Sequence, residues 1–322
     1  NIPMMERATM VGQIMKNYSN AIAISGTHGK TTTTSMMSHV FLAADMDPTI
    51  SVGGILKAIK SNIRIGKSNN FITEACEYTN SFLKFHPTVG VILNIEEDHL
   101  DFFKDINDIR NSFRKFAELI PANGLLVING EIANYEEITH DLPCKIVTYG
   151  TDSTSYDYYP VNIIFDDNGH GHYDLMKNGE FITKVDLNVV GMHNVSNSLS
   201  VVATCIEQNI PLEYILKGIL EFDGAVRRFE YKGTVNGFDI IDDYAHHPTE
   251  ISATLTAAHN YPHKTLWCIF QPHTYTRTKS LLNELSRDAK IVDKLVDKEN
   301  KNDENLLVKV VFVVEQNIVS ED

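Results

Sequence analysis

The stretch ISGTHGKTTTT, from Ile24 to Thr34, decides how the chain folds. It reads as a loop that wraps phosphate, yet the common spacing G-x-x-x-x-G-K-[ST] would need a glycine where Ile24 stands, so a related but shorter loop is in use. AIAI (Ala21 to Ile24) before it is strand-like and TTTTSMMSHVFLAA after it is helical. Gly26 and Gly29 permit backbone torsions and a close approach that a Cβ would forbid. Successive N–H groups can then face phosphate oxygens at the mouth of a helix. Gly26, Thr27, His28, Gly29, Lys30, Thr31 and Thr32 form the candidate nucleotide-binding set, with Lys30 reaching the β- and γ-phosphates of ATP and the hydroxyl of Thr31 or Thr32 reaching Mg2+.

Outward from the loop, short β-branched runs alternate with amphipathic helical stretches, the pattern of an open α/β fold. FIT (Phe71 to Thr73) and VGVILNI (Val89 to Ile95) are apolar enough to be strands covered on both faces. INDIRNSFRKFAELI has helical spacing, and LLVIN and KIVTY return to strand. From about Thr151 to Gly191, the turn signals DDNG and KNGE predict an antiparallel addition. NVSNSLSVVATCIEQ reads as a helix and FDGAVRRFEY as a domain junction. A second α/β unit follows, with the hairpin RRFEYKGTVNGFDIIDDYA, a helix from about Pro248 and the strand TLWCIF. The tail VDKLVDKENKNDENLL reads as a charged loop before a last apolar stretch, VKVVFVV. The boundaries expected are 1–19, 20–226 and 227–322.

A chain of 322 residues, 43% of them hydrophobic, can bury two cores. A net charge of −14 argues against a nucleic-acid partner held by phosphate contacts, but leaves room for a small anionic substrate. No apolar run approaches the roughly 18 residues a membrane span needs. Cys76, Cys144, Cys205 and Cys268 are far apart and form no C-x-x-C pair, which fits a reducing cytoplasm.

Ligands of a parallel open sheet sit at the carboxyl ends of its strands. Glu74 and Glu77 in FITEACEYTNSF, and Glu96, Asp98, His99 and Asp101 in NIEEDHLDFF, fall at two such ends, where they can complete a magnesium site. In GMHNVSNSLS, His193 and Asn197 share a helix face, and the amides of Asn194 and Asn197 suit either an adenine edge or an ordinary helix cap.

GTHGKTTTT, EACEYTNSF, NIEEDHLD, GMHNVSNSLS, RRFEYKG, DDYAHHPTEI and FQPHTYTRTK, in this order, resemble the Mur ligases over about Asn1 to Leu285. Members of that family use the shorter G-T-x-G-K-T-T loop. The resemblance implies a central P-loop-type ATPase domain with a mostly parallel sheet, then a partial Rossmann-like C-terminal domain. It points to the members that join L-alanine to the carboxylate of UDP-N-acetylmuramate through an acyl phosphate. It further implies that Thr31, Glu74 and His99 hold Mg2+ and that His193, Asn194 and Asn197 recognise adenine. Arg228 would face phosphate. Tyr244, His246, His247, His273 and Arg277 would close over the site to place the amino acid and substrate, and Gly53 and Gly54 of SVGGILKA would touch the muramyl part. Lys30, Glu74, His99, Arg228 and His247 are the candidate catalytic residues, with His99, His246 and His247 left open as acceptors of the amine proton.

Three departures from the family pattern stand out. Cys76 replaces an aspartate between Glu74 and Glu77 and reads as a small buried residue. The start at NIPMMERATM lacks the family's N-terminal UDP-binding loop, so the chain resembles a fragment with only a remnant of that domain in 1–19. After Leu285, a single late strand would leave a short sheet with an exposed edge. The competing readings are a ligase that attaches recycled tripeptide, a phosphohydrolase or kinase using the same loop, and a non-catalytic nucleotide-binding fragment.

Overall fold

The computed structural model describes residues 4–260, 265–270, 294–297 and 310–315. Its first half is organised around β1 (Asn20–Ser25), whose last five residues are buried. β4 (Asn70–Ala75) and β5 (Val89–Ile92) pair with β1 on either side, both parallel to it. β2 (Thr49–Leu56) lies beyond β4, and β3 (Ser61–Arg64) closes that end in antiparallel register. On the other side follow β6 (Leu125–Asn129) and β7 (Lys145–Tyr149), then β8 (Tyr158–Phe165), β9 (His170–Lys177) and β10 (Glu180–Val190). The order is β10-β9-β8-β7-β6-β5-β1-β4-β2-β3. Because β1, β4 and β5 run the same way, their carboxyl ends open on one edge of the sheet, where a doubly wound fold takes its ligand.

The apolar runs read from sequence become these strands because both faces are covered. On one face, α1 (Arg7–Met15), α3 (Ile106–Ala117) and the turn from Tyr78 to Lys84 pack Met15, Phe82, Ile109, Phe113 and Phe116 against Ala21, Ala23 and Ile92. Phe82 stacks on Phe116 at 4.9 Å between ring centroids. α4 (Glu136–Thr139) contributes Ile138 to the same core. α2 (Lys30–Ala43) packs against α6 (Leu212–Leu220) so closely that a Cβ on Gly218 would lie 2.4 Å from Val40 Cα. β5 stops at Ile92, three residues short of the run VGVILNI, because the chain must turn at Asn94 to bind the glycine loop.

β9 and β10 are joined by Asn178 and Gly179, both with positive φ (49° and 88°), the demand of a tight antiparallel hairpin. One carboxylate ties this extension to α5 (Met192–Glu207). Glu207 accepts from Lys145 of β7 at 2.5 Å, from the Tyr158 hydroxyl of β8 at 2.6 Å, and pairs with Lys177 of β9 at 2.9 Å. Burial works against its charge, but these three donors outweigh it and hold the carboxyl down at about 2.

The chain divides into two compact units, 1–163 with 172–188 and 195–223, and 164–171 with 189–194 and 224–322. In the second, β11 (Glu230–Val235) and β12 (Phe238–Asp243) form a hairpin through Asn236 and Gly237, at φ 53° and 80°. α7 (Pro248–Asn260) follows, then β13 (Thr265–Phe270), β14 (Lys294–Asp297) and β15 (Val310–Glu315), in the sheet order β11-β12-β15-β13-β14. Its core gathers Ile241, Ala245, Ile251, Leu255, Ala258, Leu266 and Cys268.

The charged run read as a loop contains β14 at KLVD, parallel to β13. VKVVFVV does not make an exposed edge, because β15 inserts between β12 and β13 and is antiparallel to both. A run of that apolarity is best satisfied in the middle of a sheet, where both of its hydrogen-bonding sides are paired. No described helix is long and apolar enough to cross a membrane.

Candidate active site

The glycine loop leaves β1 at Ser25 and enters α2 at Lys30. Gly29 stands at φ 82°, and a Cβ there would meet Asn197 Oδ1 at 2.7 Å, so glycine is required both by torsion and by contact. Gly26, at φ 151°, passes close over Leu93. Asn94, just past β5, fixes the loop from below. Its Oδ1 accepts from His28 N at 2.8 Å and its Nδ2 donates to His28 O at 3.1 Å. Thr27 Oγ1 accepts from Glu96 N at 2.9 Å, and His28 Nε2 lies 3.5 Å from Glu96 Oε2.

Lys30 folds back into this cradle. Its Nζ donates to Gly26 O at 2.5 Å and Thr27 O at 3.1 Å, and pairs with Glu77 at 3.0 and 3.2 Å. Burial pulls the ammonium down, but Glu77, Cys76 and Glu74 together outweigh it, so the Lys30 pKa is raised. The inward-outward alternation of β4 continues past its end. Glu77 points in, only 2% exposed, while Cys76 and Tyr78 point out. Cys76 is therefore exposed, not the buried small residue expected from sequence. Desolvation of the sulfur and the Glu77 charge raise its thiol pKa.

Glu74 Oε1 accepts from Gly53 N at 2.6 Å. A Cβ on Gly53 would meet the Glu74 carboxylate at 2.9 Å, and one on Gly54 would meet Thr31 Cγ2 at 3.2 Å. The two glycines thus let β2 lie against Glu74 and Thr31 rather than project away from them. His99 sits at φ 54° with Nε2 4.0 Å from Glu77 Oε1 and 3.7 Å from Asp98 Oδ2. The first unit therefore gathers Lys30, Thr31, Glu74, Glu77 and His99 around the loop at the carboxyl edge of the sheet. The carboxylates and the hydroxyl are hard oxygen donors that suit Mg2+, the imidazole is a borderline nitrogen donor beside them, and the glycine-lined cradle suits a phosphate chain.

On α5, Asn197 is buried against Gly29, while His193 is exposed and packs on Gly191. The Asn194 amide donates to Val190 O at 2.8 Å, the local bond of a residue that starts a helix. Of the three residues expected to recognise adenine, His193, Asn194 and Asn197, the last is the one seated on the loop.

The second unit builds its own cluster. Arg227 and Phe229 both take positive φ (63° and 47°), which turns Arg228 between them. Arg228 pairs with Glu250 at 3.4 Å, and the guanidinium carbons of Arg227 and Arg228 lie 4.7 and 5.7 Å from the Tyr244 ring centre. Asp243 is 5% exposed and accepts from Phe229 N, Ala245 N and Thr254 Oγ1 at 2.8, 2.7 and 3.3 Å. Burial nevertheless pushes its carboxyl up to about 6, against the pull of Arg228. His246 Nδ1 lies 2.9 Å from Tyr244 O, and a carbonyl can only accept, so the ring proton sits on Nδ1 and Nε2 is the basic nitrogen. His247 Nδ1 instead accepts from Thr249 N at 3.4 Å in the first turn of α7, which leaves the proton on Nε2. His273 and Arg277 lie outside the described residues.

Sequence reasoning gave Glu77 only a supporting part and passed over Asn94, Asp243 and Glu250. The acidic run EACEY carried a signal for Glu77, and the position of Asn94 after a strand was the only cue for it.

The Mur ligase middle domain matches residues 24–205, and the Mur ligase, glutamate ligase domain matches residues 227–311. The chain is 58% identical over 295 residues to a protein of Agathobacter rectalis named UDP-N-acetylmuramate–L-alanine ligase, covering 92% of this chain and 64% of that one. It is 54% identical, with the same coverage, to a protein of that name from Lachnospira eligens. The chain thus spans just under two thirds of the length of the curated relatives it matches. A crystal structure of UDP-N-acetylmuramate-alanine ligase from Thermotoga maritima superposes with a TM-score of 0.74 at 28% identity, covering 91% of this chain and 70% of that one.

Proposed function

The chain belongs to the Mur ligase family, and from that premise we propose that it acts in an ATP-dependent ligase joining L-alanine to the carboxylate of UDP-N-acetylmuramate, a step of peptidoglycan precursor synthesis. The observation that carries this reading is the Lys30 ammonium, buried in the glycine loop and neutralised by Glu77. A cation at a helix mouth, held by two loop carbonyls and one carboxylate, is a group that phosphate oxygens can take over.

In this reading Lys30 exchanges Glu77 and the loop carbonyls for the β- and γ-phosphate oxygens of ATP. Thr31, Glu74 and His99 would hold Mg2+, which would supply Lewis-acid neutralisation of the phosphates. The lactyl carboxylate attacks the γ-phosphorus, the bridging P–O bond breaks and ADP leaves. The alanine amine then attacks the acyl phosphate, forming the C–N bond and expelling phosphate. Lys30 and Arg228 stabilise the charge that develops on the transferring phosphoryl group. Of the two neighbouring histidines, His246 is the better proton acceptor, because its Nε2 is basic while that of His247 carries the proton. Asn197, with His193 and Asn194, reads adenine, and Gly53 and Gly54 border the muramyl part. The division into a segment at 1–19, a central domain over 20–226 and a ligase domain over 227–322 goes with this reading, as does a cytoplasmic location, where ATP and the nucleotide sugar are found.

The test is calorimetric titration of Mg2+ and a non-hydrolysable ATP analogue into this chain and its Lys30→Ala variant, followed by phosphate release with UDP-N-acetylmuramate and L-alanine. Binding lost in the variant and release that needs both acceptors are the expected results. Release with L-alanyl tripeptide in place of L-alanine would assign the recycling reaction, and binding without turnover would leave a nucleotide-binding fragment.

A further inference from the structure

His99 comes from the loop after β5, yet its ring is gripped by consecutive residues from the end of β4. On one side, Glu77 Oε1 lies 4.0 Å from Nε2. On the other, the Tyr78 ring stacks on the imidazole, with centroids 4.3 Å apart and planes inclined by 26°. The Tyr78 hydroxyl donates to Asp101 Oδ2 at 2.8 Å, and Phe102 meets the Tyr78 ring edge-on at 6.1 Å. His99 itself is held in a left-handed backbone conformation, with its N–H on Asp98 Oδ1 at 2.8 Å and its carbonyl accepting from Phe102 N and Phe103 N at 2.8 and 3.0 Å. The backbone of the turn is thus fixed from within, whereas the imidazole is bounded by the flat Tyr78 face and by the Asp98 and Glu77 carboxylates, 3.7 and 4.0 Å from Nε2.

We propose that Tyr78 is a positioning residue, which acts through His99 by holding the imidazole plane so that Nε2 faces the Glu77–Lys30 side of the loop. The inference rests on the ligase reading, in which His99 helps to hold Mg2+. A ligand that must rotate into place gives up ordering entropy on binding, and a ring already held in plane does not. Partners that orient a metal-ligating imidazole ordinarily change metal affinity by about 10- to 100-fold when removed. The geometry separates two contributions. The ring supplies the stack, and the hydroxyl supplies only the tether to Asp101.

The experiment measures Mn2+ affinity by electron paramagnetic resonance, with a saturating non-hydrolysable ATP analogue, for the full chain and for Tyr78→Ala, Tyr78→Phe, His99→Ala and the double variant Tyr78→Ala/His99→Ala. Circular dichroism checks that each is folded. The expected result is about a 10-fold weakening in Tyr78→Ala and less than about 3-fold in Tyr78→Phe. In the His99→Ala background, Tyr78→Ala should add no further loss, the non-additivity of residues acting as a unit. A purely structural role for Tyr78 would weaken both backgrounds equally and overturn the proposal, as would Tyr78→Ala binding like the parent chain. Tyr78→Phe as impaired as Tyr78→Ala would overturn it too, by assigning the effect to the Asp101 tether. Failure of the parent chain to bind Mn2+ with nucleotide would instead refute the ligase reading, and with it this inference.

Discussion

Removing Glu77 should expose how much its pairing with Lys30 matters to the first unit. At 3.0 Å and an effective dielectric of about 20, the attraction between the two charges is about 5–6 kcal/mol. Desolvation of both partners offsets most of it, for the side chains are only 16% and 3% exposed. The pair is therefore worth little against an apolar replacement, but either partner left alone is costly. Glu77→Gln should destabilise the unit by about 3–5 kcal/mol, and Lys30→Met by a similar amount. The double variant Lys30→Met/Glu77→Leu should lose less than either single change. The Lys30 pKa is raised in the folded state, so its contribution is fully present below the unfolded value of 10.5 and is lost only as pH rises through the folded value. Measurements at pH 7 therefore see the whole effect. Native-state hydrogen exchange of peptides covering β1 and α2 gives the local free energies. A saturating Mg2+–ATP analogue should shrink the Glu77→Gln deficit, since phosphate replaces the missing charge. Single losses below about 1 kcal/mol, or losses that simply add in the double variant, would refute the reasoning.

Asp243 gives a pH signature in the second unit. A carboxyl at about 6 when folded and 3.8 when unfolded destabilises the fold by about 3 kcal/mol above pH 6, and this cost disappears as pH falls below 3.8. Urea unfolding followed by Trp267, the single tryptophan, should show Asp243→Asn losing that part of the pH dependence between 4 and 6; parallel profiles for the two proteins would contradict it. Gly29→Ala should cost about 1–2 kcal/mol in backbone strain and lower nucleotide affinity at least about 10-fold by pushing Asn197 from the loop, as calorimetry would read. Gly53→Ala should leave the urea midpoint unchanged but raise the Mg2+ concentration needed for half-maximal nucleotide binding, because its Cβ displaces the Glu74 carboxylate.

What the residues alone determined was local. The glycine loop between a buried strand and a helix, the strands LLVIN and KIVTY, and the Asn236–Gly237 hairpin all follow from torsional permission and apolar periodicity within a few residues of each other. The expectation of nucleotide binding at Lys30 and the acidic strand ends was drawn from the same local signals. The place of β15 between β12 and β13 was not legible, since the partners of a strand are chosen by sheet order and not by the strand's own pattern. Nor was the exposure of Cys76, which depends on how the alternation of β4 persists into the turn beyond it. The tertiary structure alone decided that Glu77 neutralises Lys30, that Tyr78 faces His99 and that Gly53 meets Glu74. Each of these pairs joins segments that are distant in sequence. A sequence states what each segment can become, but only the packing of parallel strands with their carboxyl ends at one edge brings those segments within reach of each other.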